Sequence, residues 1–493
     1  MSAPALDRAA PDARAALAAL WRDAGLPATA LERIALTGSD PVLPSSFAVG
    51  TAMQASLGAA ALAAAEVGRL RGGPAQTISI DIADVVRESA CRFTIDGRTP
   101  PIWDKLSGRY RCGGSTGSTS SGGAAPGWVR LHANFAHHRD GALALLGLPP
   151  GEATERDAVA AALRAWSAED FESAIAERGF VAAAVRTPEQ WRQHPHAAVV
   201  AAAPLVAIDR FGAAPMPTQA TGATPVAAPV ADDALPLRGL RVLDLTRILA
   251  GPVAGRTLAA HGADVLLVNS PHLPNIDAIA DTSRGKLSTH IDLKTEAGRE
   301  SLRALVRECD IFLQGYRPGG LAALGFGPDE LARLRPGIVC VSLSAYGEMG
   351  PWRGRRGFDS LVQSATGINV AEAEAFGSAE PKALPLQALD FGAGYLLAFG
   401  ALAALLRQRQ HGGSWQVRVS LAGVGHWLQG LGRLIADGPK AKAPGFDGAF
   451  EETDSGFGRL VAVRHAVRFS HSQAGWTRPS MPPGSHAAVW PPR

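Results

Sequence analysis

The stretch GLRVLDLTRILAGPVAGRTLAAHGADVLLVNSP, residues 239–271, decides the fold. An apolar run at 241–245 leads through a loop into a helical segment that ends near Gly262, and a second apolar run follows at 264–268. Short apolar runs rich in aliphatic residues are typical of buried strands, and Pro252 suits the first turn of a helix. The stretch therefore predicts a strand–helix–strand unit.

The same alternation continues towards the C-terminus. EAGRESLRALVREC (296–309) predicts a helix, DIFLQGY (310–316) a strand, PDELARLRP (328–336) a helix and IVCVSLSAYG (338–347) a strand. Strands that alternate with helices over this distance predict an α/β fold with a Rossmann-like parallel sheet covered by helices on both faces. A dinucleotide site is only weakly indicated, because no G-x-G-x-x-G follows the first strand.

Composition limits the classes of partner. Among 493 residues, 46% are hydrophobic and 19% charged, and the formal net charge is +3, so we expect no nucleic-acid partner. Apolar segments near 47–65 and 391–406 predict buried helices, and we expect no membrane association. The four cysteines are far apart, and no apolar secretory segment opens the chain. These features predict reduced thiols, no metal site and a cytoplasmic protein.

An internal repeat organises the rest of the chain. GGPAQTISID (72–81) is similar to GGSWQVRVSL (412–421), since the Gly-Gly pair and the Gln recur at the same spacing. An Ala/Leu-rich helix is predicted before each copy, which favours duplication. At that spacing Asp390 corresponds to Gly50, so one copy carries a carboxylate that the other lacks.

Asp390 is the strongest candidate for chemistry. It lies beside a strongly apolar predicted helix, where an Asp is most often an N-cap. A helix N-terminus also favours an ionised carboxylate, which is a competent nucleophile towards an acyl group. Neighbouring Gly392 and Gly394 are expected to leave space for a ligand.

Basic residues at predicted turns are candidates for phosphate binding. Arg317 follows a predicted strand, where an Arg could pair with a phosphate or remain solvated. Arg284 and Lys286 form a second basic group, for which an ordinary exposed turn is the simpler interpretation. His132, His137 and His138 are expected to be structural or surface residues, because their spacing does not suit a metal.

Five segments, in order across 239–421, resemble the family III CoA-transferases, the group of the carnitine CoA-transferase and the formyl-CoA transferase. They are the opening stretch 239–271, RGKLSTHIDLKTEAGRESL, GYRPGGLAALGFGPDEL, GIVCVSLSAYGEMGPWRGRRGFDSLVQSATG and ALDFGAGYLLAFGALAALLRQR. The resemblance implies CoA transfer from an acyl-CoA donor to a carboxylic acid acceptor, through aspartyl anhydride and aspartyl-CoA thioester intermediates.

The resemblance also assigns residues. It implies Asp390 as the catalytic nucleophile and coenzyme A as a co-substrate, with no metal. It implies CoA contacts at Arg317, Arg284, Lys286, Tyr346 and Gly347. Small-molecule acids and acyl-CoA are the expected partners, with a homodimer as a further expectation.

The resemblance predicts how the chain is divided. A helical segment at 1–38 precedes a partial family copy at 39–215, which contains a smaller α/β domain and lacks the catalytic Asp. A Pro/Ala-rich linker at 216–238 leads to the Rossmann-like domain at 239–493, and a Gly/Ser-rich insertion is expected at 113–127. The first copy is expected to supply the small domain to the second, so that one chain holds one active site.

Two other functions stay open on the sequence. An acyl-CoA racemase or CoA-linked lyase is one, although Phe358 stands where the racemases of the family carry a His. A racemase needs a second acid or base at the reacting carbon, and Phe cannot act as one. A non-catalytic acyl-CoA-binding subunit is the other.

Overall fold

The computed structural model describes residues 12–113, 127–214 and 234–492. We call residues 12–214 the first part and 234–492 the second part. Residues 114–126 of the predicted insertion at 113–127 and most of the predicted linker at 216–238 lie outside the described residues, as do the first 11 residues of the predicted helical segment.

The first part contains eight described helices and seven described strands. The helices are α1 Ala13–Asp23, α2 Val49–Leu70, α3 Ile82–Ser89, α4 Ala136–Leu145, α5 Arg156–Leu163, α6 Ala168–Glu177, α7 Pro188–Gln193 and α8 Pro195–Ala202. The strands are β1 Ile34–Thr37, β2 Ile78–Asp81, β3 Phe93–Ile95, β4 Gly108–Arg111, β5 Trp128–Leu131, β6 Ala182–Ala184 and β7 Ala207–Phe211. The segment expected to be helical therefore ends in a strand, β1.

The second part contains the remaining described elements. Its helices are α9 Ala250–Ala260, α10 Ile279–Thr282, α11 Glu296–Val306, α12 Pro328–Leu334, α13 Asp359–Ala365, α14 Ile368–Ala375, α15 Ala388–His411 and α16 Leu421–Gly430. Its strands are β8 Arg241–Leu245, β9 Asp264–Asn269, β10 Lys286–His290, β11 Ile311–Gln314, β12 Val339–Ser344, β13 Ser414–Ser420, β14 Phe450–Ser455, β15 Gly458–Val463 and β16 Arg468–Phe469.

A seven-stranded sheet forms the centre of the molecule, in the order β10-β9-β8-β11-β12-β13-β7. The first six strands are parallel, and β7 is antiparallel to β13. This parallel order is that of a doubly wound, Rossmann-type sheet. The structure thus confirms the predicted α/β class and the strands at 241–245, 264–268, 310–316 and 338–347. Strand β10, which begins at Lys286, was not predicted.

Helix α15 is the core helix of the fold. It is buried along almost its whole length and packs against α2 and α9. Among the described residues, α15 is the one helix whose length and hydropathy would suffice to cross a bilayer, and 94% of its apolar window is buried inside the protein. An apolar helix buried in this way is accounted for by the core it fills.

The small domain is built by the first part. Its antiparallel sheet has the order β4-β5-β6, and α4, α5 and α6 cover it around a separate apolar core.

The two parts exchange edge strands. Strand β7 of the first part adds to the central sheet, while β16 of the second part pairs with β2 in the sheet β1-β2-β16. Strand β3 of the first part likewise extends the hairpin of β14 and β15. Each part therefore completes a sheet of the other.

A buried ionic cluster holds the same parts together. Arg256 of α9 contacts Glu88 of α3 at 3.3 Å and pairs with Asp281, and the Nδ1 atom of His465 donates to Glu88 at 3.1 Å. Burial alone would raise the pKa of Glu88, but His465 and Arg256 outweigh it and hold that pKa at about 2. Glu88 is therefore ionised in the folded protein at neutral pH.

Candidate functional site

A cavity of about 340 Å³ opens at the carboxyl ends of the central strands. Leu245 at the end of β8, Gly315 just after β11, Ser344 at the end of β12 and Leu421 just after β13 line it. The strand order reverses between β8 and β11, and open α/β sheets bind ligands at that crevice. The fold alone therefore marks this cavity as the candidate site.

Asp390 lies in the cavity wall, in the first turn of α15. The commoner interpretation of its sequence position, an N-cap, does not hold. Asp359 caps the helix instead, because its Oδ2 atom accepts hydrogen bonds from the backbone N–H groups of Leu389, at 2.8 Å, and Asp390, at 3.0 Å. The Asp390 carboxylate is thus left for another role.

Two neighbouring carboxyl groups at one helix end perturb each other. Burial raises the pKa of Asp390 well above its ordinary value, and the charge of Asp359 raises it further. Burial raises the pKa of Asp359 to about 6, opposed by the hydrogen bonds from the backbone of Asp390, the side chain of Gln363 and the backbone of Leu389. Since Asp359 has these donors, it is the better able of the two to stay ionised.

Apart from Asp390, the charged side chains of the cavity wall are arginines, which lie among apolar residues. Among the described lining residues Asp390 is the one carboxylate, whereas the basic side chains are Arg247, Arg317, Arg355, Arg356, His137 and His138. The histidines come from α4 of the small domain and the arginines from the second part. A cavity of this composition suits an anionic ligand.

Arg317 and Tyr346 occupy different places relative to Asp390. Arg317 lines the Asp390 cavity and also an adjoining cavity bordered by Leu273 and Ile291. Tyr346 is buried and lines a smaller neighbouring cavity that shares Arg317. Gly347 has a φ of +91°, and its N–H donates to the Ser344 hydroxyl at 3.0 Å. Gly347 therefore belongs to the tight turn that follows β12.

Arg284 and Lys286 are not brought to this cavity. Arg284 is buried beside Trp476, with its guanidinium carbon 3.7 Å from the ring centroid, and its Nη1 atom donates to Glu451 at 3.0 Å. The Lys286 ammonium group is fully buried and donates to Asp244 at 2.9 Å and to the carbonyl of Pro252 at 2.8 Å. Pro252 lines the cavity, so the buried Lys286 supports the cavity wall through its hydrogen bond to Pro252.

The histidines expected to be surface or structural residues have a more specific placement. His132 stacks on Phe358 with 4.0 Å between ring centroids, and His138 lies edge-on to the same ring at 6.0 Å. Burial lowers the pKa of His132 and of His138 to about 3, so both imidazoles are neutral at pH 7. Among the described residues no His, Cys, Asp and Glu group could hold a metal ion.

Several cavity residues were not identified from the sequence. Arg247, Arg355, Arg356, His137 and His138 all line the site. A signal existed for Arg247, because it follows the first strand at the edge where such sheets bind ligands. No local signal places α4 of the small domain opposite that edge.

The glycines beside Asp390 serve helix packing rather than ligand access. A Cβ atom at Gly394 would lie 2.6 Å from the carbonyl oxygen of Ala250 in α9. One at Gly392 would meet side-chain atoms of Val424 at 3.1 Å and Met53 at 3.2 Å. The expectation that these glycines leave space for a ligand is therefore wrong.

Comparisons with known proteins give the family of this chain. Residues 237–435 match CoA-transferase family III. An acyl-CoA transferase of Gibberella moniliformis is 30% identical over 418 residues, which cover 77% of this chain and 70% of that protein. This protein belongs to CoA-transferase family III.

Other relatives match over shorter stretches. A probable fatty acyl-CoA transferase of Mycobacterium tuberculosis is 34% identical over 232 residues, covering 43% of this chain and 58% of the relative. The chain therefore spans little more than half the length of that relative. A crystal structure of a CAIB/BAIF family protein from Brucella suis is 25% identical, with a TM-score of 0.35, and the match covers 46% of this chain and 65% of that one.

Proposed function

We propose that this protein is a CoA-transferase that moves CoA from an acyl-CoA donor to a carboxylic acid, with Asp390 as the nucleophile. One observation carries the proposal: Asp390 is the one carboxylate among the described residues that line a cavity otherwise rich in Arg and His. CoA is a polyanion, and a cationic wall at the carboxyl ends of the strands suits it.

The reaction then proceeds in four steps. The ionised Asp390 carboxylate attacks the thioester carbonyl of the donor, the C–S bond breaks, and CoA thiolate leaves an aspartyl anhydride. The thiolate attacks the aspartyl carbonyl, forms an aspartyl-CoA thioester and releases the donor acid as its carboxylate. The acceptor carboxylate attacks this thioester to give a new anhydride and free thiolate. The thiolate finally attacks the acceptor carbonyl and restores Asp390.

The residues assigned to CoA fall into two classes. Arg317, in the cavity wall, is proposed to contact a CoA phosphate. Tyr346 and Gly347 are proposed to shape the wall next to it. Because Arg284 and Lys286 are buried with protein partners, their proposed role is to hold the protein around the cavity rather than to touch CoA.

We also propose that the first part derives from a second, rearranged family copy. The order α2–β2–α3 is the same as α15–β13–α16, and β2 lies between a parallel and an antiparallel neighbour as β13 does. At Gly50, which corresponds to Asp390, a Cβ atom would lie 2.5 Å from Val42 and 2.9 Å from Ile82. The chain is thus expected to hold one working site.

A transfer assay tests the function. Purified full-length protein is incubated with one acyl-CoA and a different carboxylic acid, over a panel of such pairs, and new acyl-CoA is detected by mass spectrometry. We expect transfer for at least one pair and, for Asp390→Asn, a loss on the order of 10³-fold or more. The exposed control Asp329→Asn should keep full activity. CoA binding without transfer for any pair would favour a binding subunit instead.

A further inference from the structure

Two buried side-chain amides lead from the carboxylate of Asp359 into the interior of the protein. The Nε2 group of Gln363 donates to the Oδ1 atom of Asp359, and the Nδ2 group of Asn369 donates to the Oε1 atom of Gln363 at 3.1 Å. Asn369 also donates to the carbonyl oxygen of Lys382 at 3.0 Å. Gln363 is 1% exposed and Asn369 2%, so the protein rather than bulk solvent supplies the partners of both amides.

Backbone groups fix the orientation of these amides. The backbone N–H of Leu384 donates to the Oε1 atom of Gln363 at 3.0 Å, and a backbone N–H can only donate. The carbonyl oxygen of Lys382 can only accept, so it holds the NH₂ group of Asn369 on its side. With its oxygen held in this way, Gln363 must turn its NH₂ group, a donor, towards Asp359.

Asp359 therefore meets hydrogen-bond donors at both of its oxygens. Gln363 donates to Oδ1, while Oδ2 accepts from the backbone N–H groups of Leu389 at 2.8 Å and Asp390 at 3.0 Å. Hydrogen bonds to the charged form of a carboxyl group stabilise that form. The side chain of Asp390 accepts no such bond from the described residues, and a negative charge on Asp359 disfavours a second one on Asp390.

We propose that Gln363, anchored by Asn369 and Leu384, is a positioning residue of the reaction, which holds the negative charge on Asp359 and leaves Asp390 as the carboxyl group that gains and loses the proton at the cavity. Neither amide is among the described residues that line the cavity, so their effect passes through Asp359. The inference rests on the proposed function, since it assumes that Asp390 is the nucleophile.

Other charged groups surround this carboxyl pair. On the elements packed against α13 and in the first half of α15, the titratable side chains are Arg130 of β5, Glu372 and Glu374 of α14, Asp390 and Tyr395 of α15 and His426 of α16. Those that line the cavity are Arg247, Arg317, Arg355, Arg356, His137 and His138. Gln363 is uncharged, so a neutral substitution there changes the hydrogen bond to Asp359 while all these groups stay in the protein.

Removal of the Gln363 donor tests the proposal. Gln363→Met keeps a long unbranched side chain without the amide, and Gln363→Asn keeps an amide on a side chain too short to reach both Leu384 and Asp359. In either variant the ionised form of Asp359 loses one of its three hydrogen bonds, so the pKa of Asp359 should rise. Because Asp359 then carries less negative charge at a given pH, Asp390 should ionise at lower pH. We expect the acid limb of the transfer rate to move down by about one pH unit, the size of one hydrogen bond to a charged group.

Two readouts distinguish this role from a structural one. The first is the pH–rate profile of transfer for full-length wild type and both Gln363 variants. The second needs no turnover: the infrared carbonyl band of protonated Asp390, identified by its loss in Asp390→Asn, is followed through the same pH range. Thermal unfolding shows which variants are folded.

Gln408→Met is the matched control. Gln408 is buried at the far end of α15, where its Nε2 group donates to the carbonyl oxygens of Gly337 at 2.6 Å and Gly413 at 2.8 Å. Its substitution should lower stability but leave both the acid limb and the infrared band in place. The inference is overturned if limb and band stay in place in the folded Gln363 variants, or if Gln408→Met moves them as far. A shifted band without any transfer activity would support the role of Gln363 and contradict the proposed function instead.

Discussion

At the scale of the residue, the proposed chemistry depends on two carboxyl groups with different roles. Asp359 accepts the hydrogen bonds of the first turn of α15, whereas Asp390 faces the cavity and its side chain accepts none from the described residues. Burial and the charge of Asp359 both raise the pKa of Asp390. A carboxylate that is poorly solvated and poorly hydrogen-bonded is a stronger nucleophile when it is ionised, and Asp359 is therefore a positioning residue.

Asp359→Asn tests this relation through pH. Asn can still accept the backbone hydrogen bonds through its Oδ1 atom, but it removes the charge that disfavours ionised Asp390. The pKa of Asp390 should fall, so the acid limb of the transfer rate should move to lower pH, while the high-pH plateau changes less than about tenfold. The measurement is the pH–rate profile of wild type and variant.

The exposed control Asp329→Asn should leave that profile unchanged. An acid limb that stays in place in Asp359→Asn would show that the two carboxyl groups do not interact.

At the scale of the element, α15 carries Asp390 to the cavity because α9 can pack closely against it. The contact needs Gly394, where a side chain would meet the backbone oxygen of Ala250. Ala250 also lines the cavity, so the packing of two helices and the shape of the site depend on one contact.

Substitutions of two glycines separate this contact from helix propensity. Gly394→Ala should lower the free energy of unfolding by about 1–3 kcal/mol and reduce transfer, because α9 must shift. The methyl group of Gly392→Ala meets only side-chain atoms, of Val424 at 3.1 Å and Met53 at 3.2 Å, and the gain in helix propensity of up to about 1 kcal/mol should largely offset that contact. Urea unfolding of both variants is the measurement, and equal stability of the two would contradict the packing account.

The sequence predicted those elements whose signal is local. The alternation of apolar runs and helices specified β8, β9, β11 and β12, and the long Ala/Leu-rich segment before Gly-Gly marked α15. Strands β7 and β16 were not predicted, because they are held by pairing with distant strands. Lys286 looked like an exposed basic residue, since nothing near it in sequence shows that Asp244 is its buried partner.

The candidate site was likewise predictable only where its residues have a local sequence signal. Asp390 and Arg317, both in the cavity wall, were named from motifs in the second part. The histidines of α4 reach the cavity only through the docking of the small domain, which local sequence does not encode.

At the scale of the whole molecule, the exchanged strands and the buried cluster around Arg256 join the two parts. Glu88 belongs to the first part, while Arg256 and His465 belong to the second. The small domain that supplies His137 and His138 to the cavity belongs to that same first part. We therefore expect the integrity of the site to depend on this junction.

Glu88→Gln tests the junction. The substitution removes the carboxylate charge that the buried side chains of Arg256 and His465 contact. The free energy of unfolding should therefore fall by about 3 kcal/mol at pH 7. The pKa of Glu88 is lowered from 4.5 to about 2, so its contribution is full above pH 4.5 and is lost as the pH falls towards 2. The stability difference from wild type should shrink over that range.

Urea unfolding at pH 7 and at lower pH measures the effect. Glu300→Gln removes a partner from exposed ion pairs and should cost less than about 1 kcal/mol. A loss in Glu88→Gln no larger than in this control would mean that the cluster does not hold the parts together.

The most direct test of the central claim is peptide mass spectrometry of the full-length protein after incubation with acyl-CoA donors and trapping with hydroxylamine or borohydride. We expect modification at Asp390, at most one site per chain, and none in Asp390→Asn. A trapped adduct at another residue, or no adduct with any donor despite measurable CoA binding, would contradict it.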